Sequence, residues 1–141
     1  TGEKLTETQV MAAAQEALDL ERPDRTFIAA VGLPPSRDRE ASYLFLVEYG
    51  TPPEPDEAAR AAHELDRALA RHNVEYASKR RSGRLGPAIL RVLEPGQFEA
   101  FERRAVEEGA RDGQFKVLRL TDDETFADNF DRVVGEYRQG E

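Results

Sequence analysis

Ser42-Tyr-Leu-Phe-Leu-Val-Glu-Tyr49 is the stretch on which the fold turns. In an extended chain, Tyr43, Phe45, Val47 and Tyr49 point to one side while Leu44, Leu46 and Glu48 point to the other. Aromatic and aliphatic residues in that alternation read as a strand. Phe27–Val31 upstream has the same character, and the polar run Pro34-Pro-Ser-Arg-Asp-Arg39 lies between them. Two strands joined by a Pro-rich polar turn predict a β-hairpin.

The flanking segments carry helical periods. Thr6-Glu-Thr-Gln9 has the spacing of a capping box, and Val10, Met11, Ala14, Ala17 and Leu18 follow at helical intervals, with a stop expected before Pro23. Beyond the hairpin, Thr51-Pro-Pro-Glu-Pro55 breaks the chain. Ala58, Ala61, Ala62, Leu65, Ala68, Leu69 and His72 then trace one face of a second helix, and Asn73 suits a left-handed position just past its end. Ile89–Leu93 reads as a third strand. Pro95-Gly96 turns into a helix bearing Phe98, Phe101, Ala105 and Val106, closed by Gly109, and Val117–Leu120 is a short fourth strand. Thr121-Asp-Asp-Glu124 repeats the capping-box spacing and predicts a final helix with Phe126, Phe130, Val133, Val134 and Tyr137 on one face. The predicted order is α-β-β-α-β-α-β-α. The predicted class is α+β, with a single four-stranded, mostly antiparallel sheet and packed helices.

Composition bounds the function. The 141 residues fit one domain and carry a formal charge of −8, with a pI near 4.9. That balance argues against a whole-surface attraction to DNA or anionic lipid, so neither nucleic acid nor a membrane is an expected partner. The absence of Cys removes disulfides, thiolate metal sites and cysteine nucleophiles together. With His63 and His72 the only histidines, a histidine-based zinc or iron site would need most of its ligands from carboxylates, and no metal ligands are assigned. The apolar runs Phe27–Gly32 and Tyr43–Val47 are far too short to span a bilayer. No secretory leader is visible, and a cytoplasmic location is expected. The chain begins at Thr1 and its one methionine is Met11, so a piece of a longer protein is expected.

Few residues stand out as chemistry. Segment 71–84 gathers Arg71, Lys79, Arg80, Arg81 and Arg84 against Glu75 alone. It reads as a solvated connection balancing acidic helices, or else as a loop for a phosphate, a carboxylate or an acidic partner. It lacks the Gly-x-x-x-x-Gly-Lys frame of a phosphate-cradling loop. His63 falls off the apolar face of its helix and reads as a surface residue. His72 lies at the last turn, where a partly charged imidazole suits the helix dipole. No Ser stands in a nucleophile elbow, and the carboxylates look scattered over solvated helix faces without forming an acid–base pair. Lys116 follows the loop Gly109-Ala-Arg-Asp-Gly113 at a junction into a strand, where an ammonium can project over the end of a sheet toward an anion.

Taken together, Asn73-Val-Glu-Tyr76 with Arg80, Leu85-Gly-Pro87, Arg91-Val92, Gly96-x-Phe98, Gly109-Ala110 and Gln114-Phe-Lys116 with Arg119 resemble one region. It is the C-terminal domain of the auxin-responsive acyl acid amido synthetase family, within the adenylate-forming ligases. The resemblance runs from about Gly2 to Leu120. It implies a hinge remnant over residues 1–5, with Gly2 and Glu3 in the pivot, and a mobile lid over residues 6–141. Its partner would be an N-terminal adenylating domain of the same protein, which binds the carboxylic acid and amine substrates. The family's reaction uses ATP and Mg²⁺ to form an acyl-adenylate that an amine then attacks. By the same resemblance, Lys116 is the catalytic lysine, Lys4 a nucleotide-binding hinge lysine, and Arg119 an orienting residue at the cofactor. Asn73, Tyr76 and Arg80 hold the domain or face the large one. The chain departs from the family pattern at Arg111, where a small hydroxyl residue is common, and at Leu118, where Pro is common. The isolated piece is expected to be inactive and to hold no cofactor. The second function class is a free-standing binding or regulatory module using residues 71–84.

Overall fold

The computed structural model describes residues 5–18, 25–109 and 120–138. Ser42–Tyr49 is strand β2, with the predicted bounds, and all eight of its residues are buried. It pairs antiparallel with β1 (Arg25–Leu33) in the predicted hairpin, with Leu33 opposite Ser42 and Val31 opposite Leu44. Helix α1 (Glu7–Leu18) precedes the hairpin. Its capping box is closed as expected, since Thr6 N–H donates to Gln9 Oε1 and Gln9 N–H donates to Thr6 Oγ1, each at 3.1 Å.

From β2 the chain crosses through α2 (Pro55–His72) and α3 (Val74–Ser82) to β3 (Ile89–Leu93), which lies parallel to β2. Helix α4 (Gln97–Glu107) follows. The two-residue strand β4 (Leu120–Thr121) then pairs parallel with β1 at the opposite edge. A 3₁₀ turn (Glu124–Asn129) leads to β5 (Val133–Arg138), antiparallel to β3. The sheet order is β4-β1-β2-β3-β5. The α+β class and the single sheet agree with expectation. The strands number five instead of four, and two neighbouring pairs are parallel: β2 with β3, joined by the crossover through α2 and α3, and β1 with β4, which runs opposite to β3 and joins the far edge.

Both faces of the sheet are covered. On the first, Ile28, Ala30, Phe45, Val47, Leu90 and Val92 meet the alanine- and leucine-lined sides of α1 and α2, together with Tyr76 of α3. On the second, Phe27, Val31, Leu44, Leu46, Ile89 and Leu93 meet Phe126 and Phe130 of the C-terminal turn, with Phe98 and Phe101 of α4 packed against them. Phe27 stacks on Phe98 with centroids 4.3 Å apart, and Phe101 meets Phe126 edge-on at 5.6 Å.

Two predicted segments fold differently. The final helix does not form. Asp123, two residues beyond Thr121, supplies the cap by accepting from Thr125 N–H at 3.1 Å, and the helical turn ends at Asn129. Val133–Arg138 instead lines up against the outer edge of β3, from Leu93 opposite Val133 to Ile89 opposite Arg138. Without it those backbone groups would lack a ladder. Gly135 disfavours a helix by about 1 kcal/mol, and the Tyr137 ring lies over its bare Cα. Arg91 Nε donates to Glu136 Oε2 at 2.7 Å across the pair.

The second difference is α3, where the sequence suggested a loop. Asn73 is not left-handed but extended (φ −145°, ψ 112°), because it serves two helices. Its N–H closes α2 on the Leu69 carbonyl, and its Oδ1 accepts from Tyr76 N–H at 2.8 Å to open α3.

Candidate functional site

Three polar clusters compete for a functional role, and their hydrogen bonds separate them. The first lies at the junction of α2, α3 and β3. Asp66 sits among the apolar side chains of α2 and is buried. Its Oδ1 accepts from Tyr76 Oη at 2.5 Å and from Ala88 N–H at 3.1 Å. Arg80 donates to both oxygens from Nε at 3.0 and 3.1 Å and to Oδ2 from Nη2 at 3.0 Å. Arg80 Nη1 also donates to the Leu85 carbonyl at 3.3 Å. Burial raises the Tyr76 phenol pKa, and the Asp66 charge raises it further. Burial works against the Arg80 charge, yet the hydrogen bonds and charge of Asp66 outweigh it and raise the guanidinium pKa. Every member is satisfied within the fold, so this cluster joins elements and leaves no group for a ligand.

A second cluster ties α1 to the α2–α3 corner. Arg71 Nη2 donates to Glu16 Oε1 at 2.7 Å, and His72 Nε2 meets Glu16 Oε2. Gln9 Nε2 donates to the His72 carbonyl at 3.0 Å, and Asn73 Nδ2 donates to Gln9 Oε1 at 3.1 Å. The Arg71 hydrogen bond, and then that of His72, lower the Glu16 pKa. Arg71 and Arg80 are therefore engaged inside the domain, and the basic segment 71–84 presents fewer open cations than its composition suggests. His63 is half-buried on α2, and His72 has the structural place expected of it.

The third feature is a groove of about 990 Å³ at the end of the sheet where β1 stops and β2 starts. Leu5, Leu33, Pro34, Pro35, Ala41 and Leu120 form apolar walls, and Thr121 to Thr125 form a polar rim. Asp122 lies over Gly32, its Oδ1 only 3.1 Å from where a Cβ on that glycine would stand, and the Tyr43 ring is close by. Ser42 lines the groove, and its buried Oγ has no hydrogen-bond partner.

Lys4, Lys116 and Arg119, the site residues expected from the sequence, lie outside the described residues. What is described is the chain beside them. Leu5 follows Lys4, Leu120 follows Arg119, and both line this groove. The polar residues that the sequence did not single out are Asp66, Glu48 and Ser42. Asp66 had a signal, an acid on the apolar face of α2. Glu48 also had one, as the only charge in the apolar run of β2. It accepts from Gly96 N–H at 3.1 Å and Phe98 N–H at 2.8 Å and so caps α4 from across the sheet. Nothing in the sequence marks Ser42.

Among the described residues no group of three or more His, Cys, Asp or Glu is placed to hold a metal ion, and no helix is long and apolar enough to cross a membrane. A mixed sheet with helices on both faces and an open groove at one end describes a small α+β domain. The family model of the GH3 family C-terminal domain matches residues 7–125, and the chain belongs to that family. Among solved structures it is similar to AtGH3.15 acyl acid amido synthetase in complex with 2,4-DB, with a TM-score of 0.81 and 20% identity over 100% of this chain and 26% of that one. A structure of GH3.15 acyl acid amido synthetase matches with the same score and identity, over 27% of its length. The chain thus spans about a quarter of the length of those structures. No curated protein matches it.

Proposed function

We propose that this chain is the mobile lid of an ATP-dependent, acyl-adenylating acid–amino acid ligase, closing over the site of an N-terminal domain in the same protein. The observation that carries the reading is the family match over 7–125, joined to the two groove-lining residues, Leu5 and Leu120, that flank the Lys4 and Lys116–Arg119 segments. ATP with Mg²⁺ supplies the adenylyl group that activates the carboxylic acid. The described part of the groove is acidic and offers no converging metal ligands. In this reading the resemblance assigns the phosphate contacts to Lys4 and Lys116, and Mg²⁺ to the large domain.

In this reading Lys116 brings a fixed positive charge to the reacting phosphate as the lid closes, where exclusion of water strengthens it. Lys4 accompanies the pivot near the nucleotide, and Arg119 orients the Lys116 segment. The Asp66 and Glu16 clusters tie α1, α2, α3 and the start of β3 together, which suits a domain that moves as one body on closure. A cytoplasmic location fits such an enzyme. The stand-alone module has less support, because Arg71 and Arg80 hold Glu16 and Asp66.

The test is acid-dependent ATP–pyrophosphate exchange by the full-length protein carrying Lys116→Ala. A loss of at least about 100-fold is expected, the size associated with removing one preorganised charge from a transition state, with thermal stability unchanged. An exchange rate equal to wild type would remove Lys116 from the reaction.

A further inference from the structure

We propose that helix α4 is a strap, which releases from the sheet as one unit while the rest of the domain stays folded. The strap is built from described residues of this chain and does not depend on the ligase reading. Its release bares the side of the second core where Phe27, Phe126 and Phe130 meet.

Helix α4 is attached differently from its neighbours. Helix α2 buries six of its residues and α1 four, whereas no residue of α4 is buried. Its apolar hold comes from two half-buried rings. Phe98 stacks on Phe27 at 4.3 Å, and Phe101 lies 5.6 Å from Phe126 and 5.2 Å from Phe130 between centroids. Hydrophobic attachment scales with the area buried, so α4 is freed at lower cost than α1 or α2. On its flank a cleft of about 560 Å³ lies between α4 and residues 128–132, and Arg104 Nη2 reaches across it to the Asn129 carbonyl at 3.0 Å.

The ends of the helix are suited to pivoting. Gly96 (φ +91°) before it and Gly109 (φ +114°) after it are both left-handed, and a Cβ on either would stand in open space. The backbone conformation, not a lack of room, is what calls for glycine there, and such joints let a helix turn as a block. One catch holds the backbone between them. Glu48, 5% exposed on the central strand β2, accepts from Gly96 N–H at 3.1 Å and Phe98 N–H at 2.8 Å. It does so where Gly96 has no side chain to cap the helix itself. On release, water answers the carboxylate, so the catch opens without stranding a buried charge.

The experiment is amide hydrogen exchange by NMR on the 141-residue chain, where closing outruns chemical exchange, with and without low urea. The amides of Phe101, Arg104 and Val106 are expected to share one opening equilibrium. They should exchange at least about 10-fold faster than those of Phe45 and Val47 in β2, with a weaker urea dependence. Two variants separate release of the strap from global unfolding. Tyr76→Phe removes a hydrogen bond to Asp66 on the opposite face of the sheet. It should speed exchange at Phe45 and Val47 about fivefold and leave the α4 amides unchanged. Glu48→Gln weakens the catch and should speed the α4 amides about tenfold. Four results overturn the proposal: α4 amides as protected as Phe45 and Val47, rates graded along α4 as in fraying, α4 amides that accelerate with β2 in Tyr76→Phe, or wild-type α4 exchange in Glu48→Gln.

Discussion

Asp66 and Asp122 are both carboxylates at the margin of the same sheet, and they live in opposite conditions. Asp66 is 5% exposed and takes hydrogen bonds from Tyr76, Arg80 and Ala88, all within one chain. Asp122 is exposed and laid over Gly32, with no hydrogen-bond or ion-pair partner among the described residues. The contrast separates architecture from function on physical grounds. Where the fold answers every polar group, the cluster holds elements together. Where a carboxylate is left to solvent, its charge can be changed with little effect on the fold.

The contrast breaks first at Asp66. Asp66→Ala leaves the Arg80 guanidinium without its counter-charge and the Tyr76 hydroxyl and Ala88 amide unpaired. A loss of about 3 kcal/mol is expected, read as a lower denaturant midpoint with an unchanged slope. A loss below about 1 kcal/mol would mean that the junction is not what holds α2, α3 and β3.

A smaller effect is expected at Glu16, which is paired but open to solvent. Its folded pKa lies below the ordinary carboxylate value, so its contribution is complete above that value and fades as pH falls through the lower folded one. Glu16→Gln should therefore melt slightly below wild type at neutral pH. The gap should close on acidification past about pH 4 and narrow with added salt. A gap that survives strong acid would show that the charge is not its source.

The smallest effect sharpens the comparison. Asp122→Asn should change unfolding free energy by no more than about 0.5 kcal/mol, because no described group depends on that charge. A large loss would move Asp122 from the open class to the structural one.

Much of the fold was legible because its hydrophobic periods are local. Ser42–Tyr49 and Ile89–Leu93 were placed to the residue, and Thr6 with Gln9 closed the expected box. The C-terminal segment was misread because Phe126, Phe130, Val133, Val134 and Tyr137 satisfy a helical period, while what decides their structure is the unpaired edge of β3, distant in sequence. Helix α3 was missed because its cations suggested solvent, although Asn73 stands three residues before Tyr76 as a cap should and Arg80 follows Tyr76 by one turn. The roles of Glu48 and Asp66 are not legible in the sequence because their donors, the Gly96 amide and Arg80, meet them only in three dimensions. Lys4, Lys116 and Arg119 come from resemblance and lie outside the described residues, while the groove comes from the geometry.

The place of β5 bears on how the domain can be handled. The family match ends at residue 125, yet Val133–Arg138 forms the outermost strand and covers the side of Ile89–Leu93. Trimming the polypeptide to the matched span would strip that side and bare a row of amides and carbonyls flanked by Leu90, Val92 and Leu93, a template for sticking to other copies. Residues 126–138, after the match, are part of the folding unit, and any excised version meant to stay in solution has to keep them.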